Sequence, residues 1–245
     1  MDYQQSKAQV TPAIDAGLRQ YMMQVYNYMA SGLALTGLVA YMLFQWTAVT
    51  GPTGEIIGLT NLGVTLYQGP MMWIVALAPL GVVLYMSFGI RGMTAGRAQS
   101  MFWVFAFLMG LSLSTIFLTY TGASIARVFF ITASTFGAMS IYGYTTKRDL
   151  TGMGSFLFMG LIGIIIASIV NIFMQSQMMY FVISVLGVLI FVGLTAYDTQ
   201  KIKNMYMAYD SAEVAAKKAI MGALTLYLDF INLFLMLLRL FGQRR

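Results

Sequence analysis

Two aspartates lie inside long apolar segments near the end of the chain. Their carboxyl groups could take part in acid–base chemistry. Asp198 lies in GLTAYDTQKIK, residues 193–203, and Asp229 lies in GALTLYLDFINLFLMLLRLFG, residues 222–242. A charged side chain in hydrocarbon costs roughly 2.5 to 3.5 kcal/mol or more, so it normally faces a partner or a water-filled cavity. Both aspartates are therefore candidates for a functional site within a membrane.

The spacing of the two aspartates predicts that their carboxylates lie at the same depth. Antiparallel helices bring together residues that are equally far from the turn joining them, and the midpoint between Asp198 and Asp229 falls in the polar segment 209–218. Two adjacent carboxylates at reduced dielectric cannot both ionise cheaply, so such a pair tends to share a proton and could respond to cellular pH. The alternative is an aspartate that caps a helix end or pairs with a basic neighbour such as Lys201.

The last apolar segment also carries a small and polar face. Its members recur at spacings of three, four and three residues, which places them on one side of a helix: Gly222, Thr225, Asp229 and Asn232. Small and hydrogen-bonding residues gather at helix contacts in lipid, so this face is predicted to point inward. Thr225 and Asn232 would then support the aspartate pair.

The composition indicates an integral membrane protein. Hydrophobic residues make up 59% of the chain and charged residues 9%, whereas soluble domains have about 25% charged residues. The chain has no cysteine and no histidine, which excludes disulfides and catalysis or metal sites built on those residues. Acid–base chemistry is left to carboxylates, and we expect no cofactor. The net charge of +6 is spread over short loops, which argues against a nucleic-acid surface.

The apolar runs predict an all-α bundle of seven transmembrane helices. We expect one domain, residues 21–245, after a polar cytoplasmic tail, residues 1–20, and a loop over residues 47–69. The predicted spans are 22–46, 71–90, 100–120, 123–144, 153–174, 179 to beyond Asp198, and 219–241.

The basic residues predict the orientation of the bundle. The turns after the second, fourth and sixth spans carry Lys or Arg, and the intervening turns carry none, which places the N-terminus in the cytoplasm. A seventh crossing would put Arg239, Arg244 and Arg245 outside, against the same rule. We expect this crossing, and a segment that dips into the membrane and returns is the alternative.

Arg91 is a candidate latch for the aspartate pair. It ends the second span on the same side of the membrane as the turn below Asp198 and Asp229. An arginine there could pair with either carboxylate and favour its charged form. The alternative is an anchor that reaches the lipid headgroups.

The two segments around Asp198 and Asp229, the seven spans and the order of basic turns resemble the Bax inhibitor-1 family, and in particular its bacterial members. The run LYLDFINLF, residues 226–234, is the most specific part of the likeness. The resemblance implies a central C-terminal helix surrounded by the other six, and a pH-sensitive calcium leak in the bacterial inner membrane. It also implies that Asp198 and Asp229 are the proton sensor, that Arg91 matches the latch, and that a membrane-bound protease is a partner.

The oxygen atoms near the pair favour a leak over a tight calcium site. Calcium prefers six to eight oxygen ligands, and Asp198, Asp229, Thr225 and Asn232 supply only part of that shell. We therefore expect weak, transient calcium binding at Asp198 and Asp229. The expected function is a non-enzymatic, pH-sensitive cation leak.

Two other functions are alternatives to the leak. The first is a membrane regulator without transport, which would hold a membrane protease or another membrane protein through its helices. The second is an intramembrane aspartyl protease with two catalytic aspartates. The residues before Asp229 argue against the protease, because such enzymes carry Gly-x-Gly-Asp and this chain has Leu-Tyr-Leu-Asp.

Overall fold

The computed structural model describes the backbone of residues 2–52 and 55–245 and the side chains of residues 16–52 and 55–245. The polar tail predicted for residues 1–20 therefore falls, as far as residue 15, outside the residues with described side chains. Helices account for most of the described chain: α1 (Asp2–Thr47), α2 (Asn61–Tyr67), α3 (Met71–Gly89), α4 (Ala95–Leu113), α5 (Ile116–Thr119), α6 (Gly122–Thr145), α7 (Thr151–Met174), α8 (Gln177–Asn204) and α9 (Ala212–Phe241).

Seven segments in the described part of the chain are long and apolar enough to cross a membrane. They are α1 from Ala16 onward, α3, α4 together with α5, α6, α7, α8 and α9. The predicted fold class, a bundle of seven transmembrane helices, is thus confirmed. The loop predicted over residues 47–69 contains more structure than expected, because β1 (Ala48–Thr50) and β2 (Ile56–Leu59) form an antiparallel hairpin before α2.

Hydroxyl side chains define where several membrane helices begin. Thr94, Thr121, Ser176 and Ser211 precede α4, α6, α8 and α9, and each side chain accepts a hydrogen bond from a backbone N–H in the first helical turn. Such caps satisfy backbone donors that have no partner within the helix. The short turn between α7 and α8 adds Gln175 in the left-handed conformation, with φ of 50°.

The last helix forms the core of the bundle. In the apolar 18-residue stretch of α9, 67% of the residues are buried, whereas the corresponding share in α8, the next most buried span, is 39%. Its main neighbours are α1, α4, α6 and α8, while α3 packs on α4 and α7 packs on α8 at the flanks. The C-terminal helix is therefore central, as the resemblance implies, although four helices rather than six make its principal contacts.

Contacts at the two ends of α9 show that it runs the full length of the bundle. Near its start, Lys217 Nζ donates to the carbonyl of Met93, between α3 and α4. Just beyond its end, Thr121 N donates to the carbonyl of Gln243, and Gln243 N donates to Ser124 Oγ. The spanning unit of α4 and α5 separates Met93 from Thr121, so these contacts lie at opposite ends. The helix therefore crosses the bundle rather than dipping and returning.

The C-terminal residues pack on the far end of the bundle. Arg245 Nε donates to the carbonyl of Tyr120 at 3.4 Å, and its guanidinium lies 5.7 Å from the centre of the Phe44 ring. A cation over an aromatic face gains electrostatic energy from the ring. These contacts stabilise Arg245 at the end of the bundle opposite the basic turns, where the distribution of Lys and Arg argues against a basic residue.

A glycine on α6 allows a very close approach to α8, and its replacement should destabilise the fold. A Cβ added at Gly143 would overlap the carbonyl oxygen of Ala196, which is backbone and cannot move aside. We expect Gly143→Ala to lower the free energy of unfolding by about 1–3 kcal/mol, as overpacking typically does. Denaturation in mixed micelles, followed by circular dichroism, measures the change.

Gly137→Ala is the matched control for that experiment. Gly137 lies on the same helix, but an added Cβ there meets no atom within 4 Å. The control should be neutral or slightly stabilising, since alanine favours helix more than glycine does. An equal loss of stability in both variants would contradict the close α6–α8 contact.

Candidate functional site

The structure brings the two predicted aspartates together. Asp198 on α8 and Asp229 on α9 lie with their carboxyl groups close enough to interact electrostatically. They are only 8% and 6% exposed. The antiparallel register explains the meeting, because Gly222 packs against Ile202 at one level and Gly187 packs against Met236 at another. These pairs centre the α8–α9 hairpin near Ala212, close to the midpoint expected from the spacing of the aspartates.

One oxygen of the pair lacks a hydrogen-bond donor. Within the part of the chain that the structure describes, Asp229 Oδ2 is buried and has no hydrogen-bond partner. Leaving a buried acceptor unsatisfied is costly, and leaving a buried charge unpaired costs more. Two carboxyl groups that hold one proton between them reduce this cost, since one then donates to the other and only one negative charge remains.

The aspartate pair forms part of the wall of a cavity between α7, α8 and α9. The cavity has a volume of about 660 Å³. Its lining consists of Gly154, Ser155, Phe158, Leu161, Phe191, Leu194, Tyr197, Asp198, Lys201, Thr225, Leu228, Asp229 and Asn232. It exists because α7 packs on α8 but makes few contacts with α9. Thr225 and Asn232 line it as predicted, whereas Gly222 serves the helix contact with Ile202.

A lysine shares this cavity with the aspartates. Lys201 lies one turn after Asp198 on α8 and belongs to the cavity wall, and its ammonium group is 5.8 Å from the centre of the Tyr197 ring. The sequence by itself indicates Lys201 only as a basic neighbour of Asp198 on the same helix. The three-residue spacing between them was the signal that placed both on one helix face.

Arg91, in contrast, does not contact the aspartate pair in this conformation. It is exposed in the single 3₁₀ turn that follows α3. Among residues with described side chains, the one salt bridge joins Lys218 Nζ and Asp210 Oδ2 at 2.6 Å. The latch predicted for Arg91 is thus not formed here and stays a prediction that requires a different conformation.

Comparison with known proteins identifies the family. The family model described as inhibitor of apoptosis-promoting Bax1 matches residues 18–245. The chain belongs to the Bax inhibitor-1 family. This confirms the resemblance that the segments around Asp198 and Asp229 suggested.

Several bacterial proteins are similar to this Bax inhibitor-1 chain over nearly their whole length. The inner membrane protein YbhL of Escherichia coli strain K12 is 48% identical over 236 residues, which cover 94% of each chain. The protein RP147 of Rickettsia prowazekii is 52% identical over 241 residues, covering 94% of this chain and 92% of its own. The membrane protein SpyM3_0260 of Streptococcus pyogenes is 38% identical over 229 residues, covering 94% and 95%.

The similarity to the inner membrane protein YbhL, together with the seven apolar helices, confirms the predicted location, the bacterial inner membrane. The side of the membrane on which the N-terminus lies stays a prediction.

The polar atoms that this Bax inhibitor-1 protein presents to the cavity are mostly oxygens. The Thr225 hydroxyl donates to the carbonyl of Met221, and Asn232 Nδ2 donates to the carbonyl of Leu228. The Thr225 hydroxyl hydrogen and one of the two Asn232 amide hydrogens are therefore used within α9, and the Thr225 oxygen and Asn232 Oδ1 remain available as acceptors. With the two carboxyl groups they offer part of the six to eight oxygens that calcium prefers. Within the described residues, no three acidic, His or Cys side chains cluster as for a metal ion.

Proposed function

We propose that this Bax inhibitor-1 protein is a pH-sensitive cation leak of the inner membrane, with Ca²⁺ as the permeant ion and the Asp198–Asp229 pair as its proton sensor. One observation carries the proposal: two buried carboxyl groups are neighbours at the wall of a cavity of about 660 Å³ that reaches into the bundle. Buried ionisable groups that face a cavity within a membrane commonly mark ion or proton pathways.

The gating step follows from the charge on the pair. With one shared proton the carboxyl groups attract each other, and without it they carry two negative charges. Two unit charges about 4 Å apart repel by about 4 kcal/mol at an effective dielectric constant of about 20. That is most of the roughly 5.5 kcal/mol needed to move a two-state equilibrium from about 1% to about 99%. Loss of the proton therefore favours a shift of α9 relative to α8, which alters the cavity.

An incomplete set of oxygen ligands suits the conduction of Ca²⁺ better than its tight binding. The pair, Thr225 and Asn232 leave several calcium ligands to water, so an ion that enters is held weakly and leaves again. The membrane potential supplies the driving force, about 4.6 kcal/mol for a divalent ion per about 100 mV, which is twice the value for a single charge.

The alternation of basic turns supports an orientation for this pathway. With the N-terminus in the cytoplasm, Lys201 lies toward the cytoplasmic end of the cavity lining, because the turn after α8 is then internal. Lys201 would compete with an entering cation for the two carboxylates.

The direct test is calcium flux into liposomes that contain the purified protein and an internal calcium indicator. We expect entry faster than into protein-free liposomes, with a rate that changes between about pH 5 and about pH 8, the range in which a shared proton would act as a physiological switch. A rate equal to that of protein-free liposomes at every pH would refute the proposed leak.

A further inference from the structure

A groove at the basic end of the bundle combines polar side chains with two aromatic rings. It lies between α1 and α4, and its volume is about 650 Å³. Arg19, Tyr28 and Trp103 contribute to its lining. Four further lining residues recur at spacings of four, three and four along α1 and are all exposed; together they are called the polar stripe: Gln20, Gln24, Asn27 and Ser31.

The groove lies at the depth of the lipid headgroups and the first part of the hydrocarbon. Trp103 follows the start of α4 at Ala95 by eight residues, which is about 12 Å along a helix. The headgroup regions account for the difference between about 30 Å of hydrocarbon and about 40–45 Å of whole bilayer. Each leaflet contributes half of that difference, about 5–8 Å. A helix that begins at the membrane surface therefore places Trp103 a few ångströms below the headgroups, in the outer part of the hydrocarbon and close to the interface at which tryptophan is enriched. At the same end, the Tyr21 ring is 5.6 Å from the Tyr206 ring, in the turn after α8.

Most polar side chains of the groove have no hydrogen-bond partner among the residues whose side chains are described. Among residues with described side chains, those of Gln20, Gln24 and Asn27 make no hydrogen bond, and Arg19 makes no ion pair. Only Ser31 is satisfied locally, by donating to the carbonyls of Asn27 and Tyr28. Exposed amides at the edge of hydrocarbon require an outside partner, because lipid tails cannot accept or donate hydrogen bonds.

We propose that this groove binds the headgroup of an anionic phospholipid. The Arg19 guanidinium and the Gln20 and Gln24 amides bind the phosphate, since an arginine can donate two parallel hydrogen bonds to one phosphate group. The glycerol ester groups lie along Asn27, one turn deeper. The start of an acyl chain packs against the rings of Tyr28 and Trp103.

Charge favours an anionic lipid over a second copy of the chain. Two copies that met through this face would contact each other with the same patch and would bring their Arg19 side chains together. An anionic lipid neutralises this arginine instead. The turns at this end also carry Arg91, Arg97, Lys147 and Arg148, a basic rim that attracts anionic lipid.

Trp103 serves as a reporter of the bound lipid. The chain has three tryptophans, and Trp46 and Trp73 are exposed elsewhere. In a Trp46→Phe, Trp73→Phe background, Trp103 is the one remaining source of indole fluorescence. The protein is placed in phosphatidylcholine nanodiscs that contain a small fraction of either brominated phosphatidylglycerol or brominated phosphatidylcholine, because bromine quenches a nearby indole. We expect about twofold stronger quenching by the anionic lipid, in line with electrostatic enrichment at a basic site.

Variants of exposed groove residues then test the assignment. Arg19→Gln, combined with Gln24→Leu, should abolish the excess quenching by phosphatidylglycerol. Arg97→Gln is the matched control and should retain it, since Arg97 is exposed at the same end but donates to Tyr85 OH on α3. Equal quenching by both lipids, or an excess that survives the groove variant, would overturn the proposal.

Two further measurements separate this lipid from other occupants. Millimolar inorganic phosphate should leave the excess quenching unchanged, and its loss would assign the site to free phosphate instead. The protein has no native cysteine, so Met23→Cys in the groove reports contact between two copies. Efficient disulfide cross-linking of this variant would assign the groove to a dimer and overturn the lipid proposal.

Discussion

Cation flux through the protein should lose its pH dependence when Asp198 and Asp229 are both replaced by asparagine. Asparagine keeps the size of the side chain and its ability to hydrogen bond, but it cannot release a proton. The two groups are buried next to each other, so the variant removes the titration while leaving most of the packing in place. In liposomes loaded with a calcium indicator, the ratio of entry rates between about pH 6 and about pH 8 should fall to about one.

The matched control removes one acidic charge from the same helix but outside the cavity. Glu213 is exposed in the first turn of α9. Glu213→Gln should therefore keep the pH dependence of the wild-type protein. The same pH profile in the wild type and in the double asparagine variant would show that the pair is not the sensor, even if the protein conducts. A variant that fails to elute as a monodisperse peak would be replaced by the single variants Asp198→Asn and Asp229→Asn.

The second large effect concerns the packing of the central helix. Tyr227 is completely buried, with its ring centre 5.0 Å from that of Phe105 on α4 and its hydroxyl 2.6 Å from Thr36 Oγ on α1. We expect Tyr227→Ala to lower the free energy of unfolding by about 3 kcal/mol. This is the lower end of the range for aromatic-to-alanine changes, because lipid also solvates apolar groups and the loss comes from packing.

Two variants divide that loss into its parts. Tyr227→Phe removes only the hydroxyl, and Thr36 still donates to the carbonyl of Ala106, so about 0.5–1.5 kcal/mol should be lost. Tyr180→Ala on α8 is the control, since Tyr180 is 48% exposed on the outside of the bundle and its loss leaves no internal cavity. Denaturation in mixed micelles compares all three. A similar loss from Tyr180→Ala and Tyr227→Ala would contradict the central position of α9.

The sequence predicted the site better than it predicted the surroundings of the site. The distance of Asp198 and Asp229 from one turn was enough to place them together, because the register of an antiparallel helix pair follows from the position of its turn. The face with Thr225 and Asn232 was also predictable, since the helical period places residues three and four apart on one side. Nothing local, however, indicated that α7 would diverge from α9 and leave a cavity there.

The cation near the pair could not be chosen from the sequence alone. Both Arg91 and Lys201 lie at the ends of spans on the same side, and the predicted topology allows either to approach the aspartates. Only the packing separates them: α3 lies on the flank of the bundle against α4, whereas Lys201 is on α8 itself and lines the cavity.

By itself, the sequence determined that this chain is a seven-span membrane bundle and that two aspartates meet within it. Hydropathy, helical period and distance from a turn are local properties, and they suffice for those conclusions. The tertiary structure alone decided that α9 is enclosed mainly by α1, α4, α6 and α8, that it crosses from end to end, and that its polar face opens toward α7. Those features depend on which side chains let two helices approach, as Gly143 does against Ala196, and such fits are made between residues far apart in the chain.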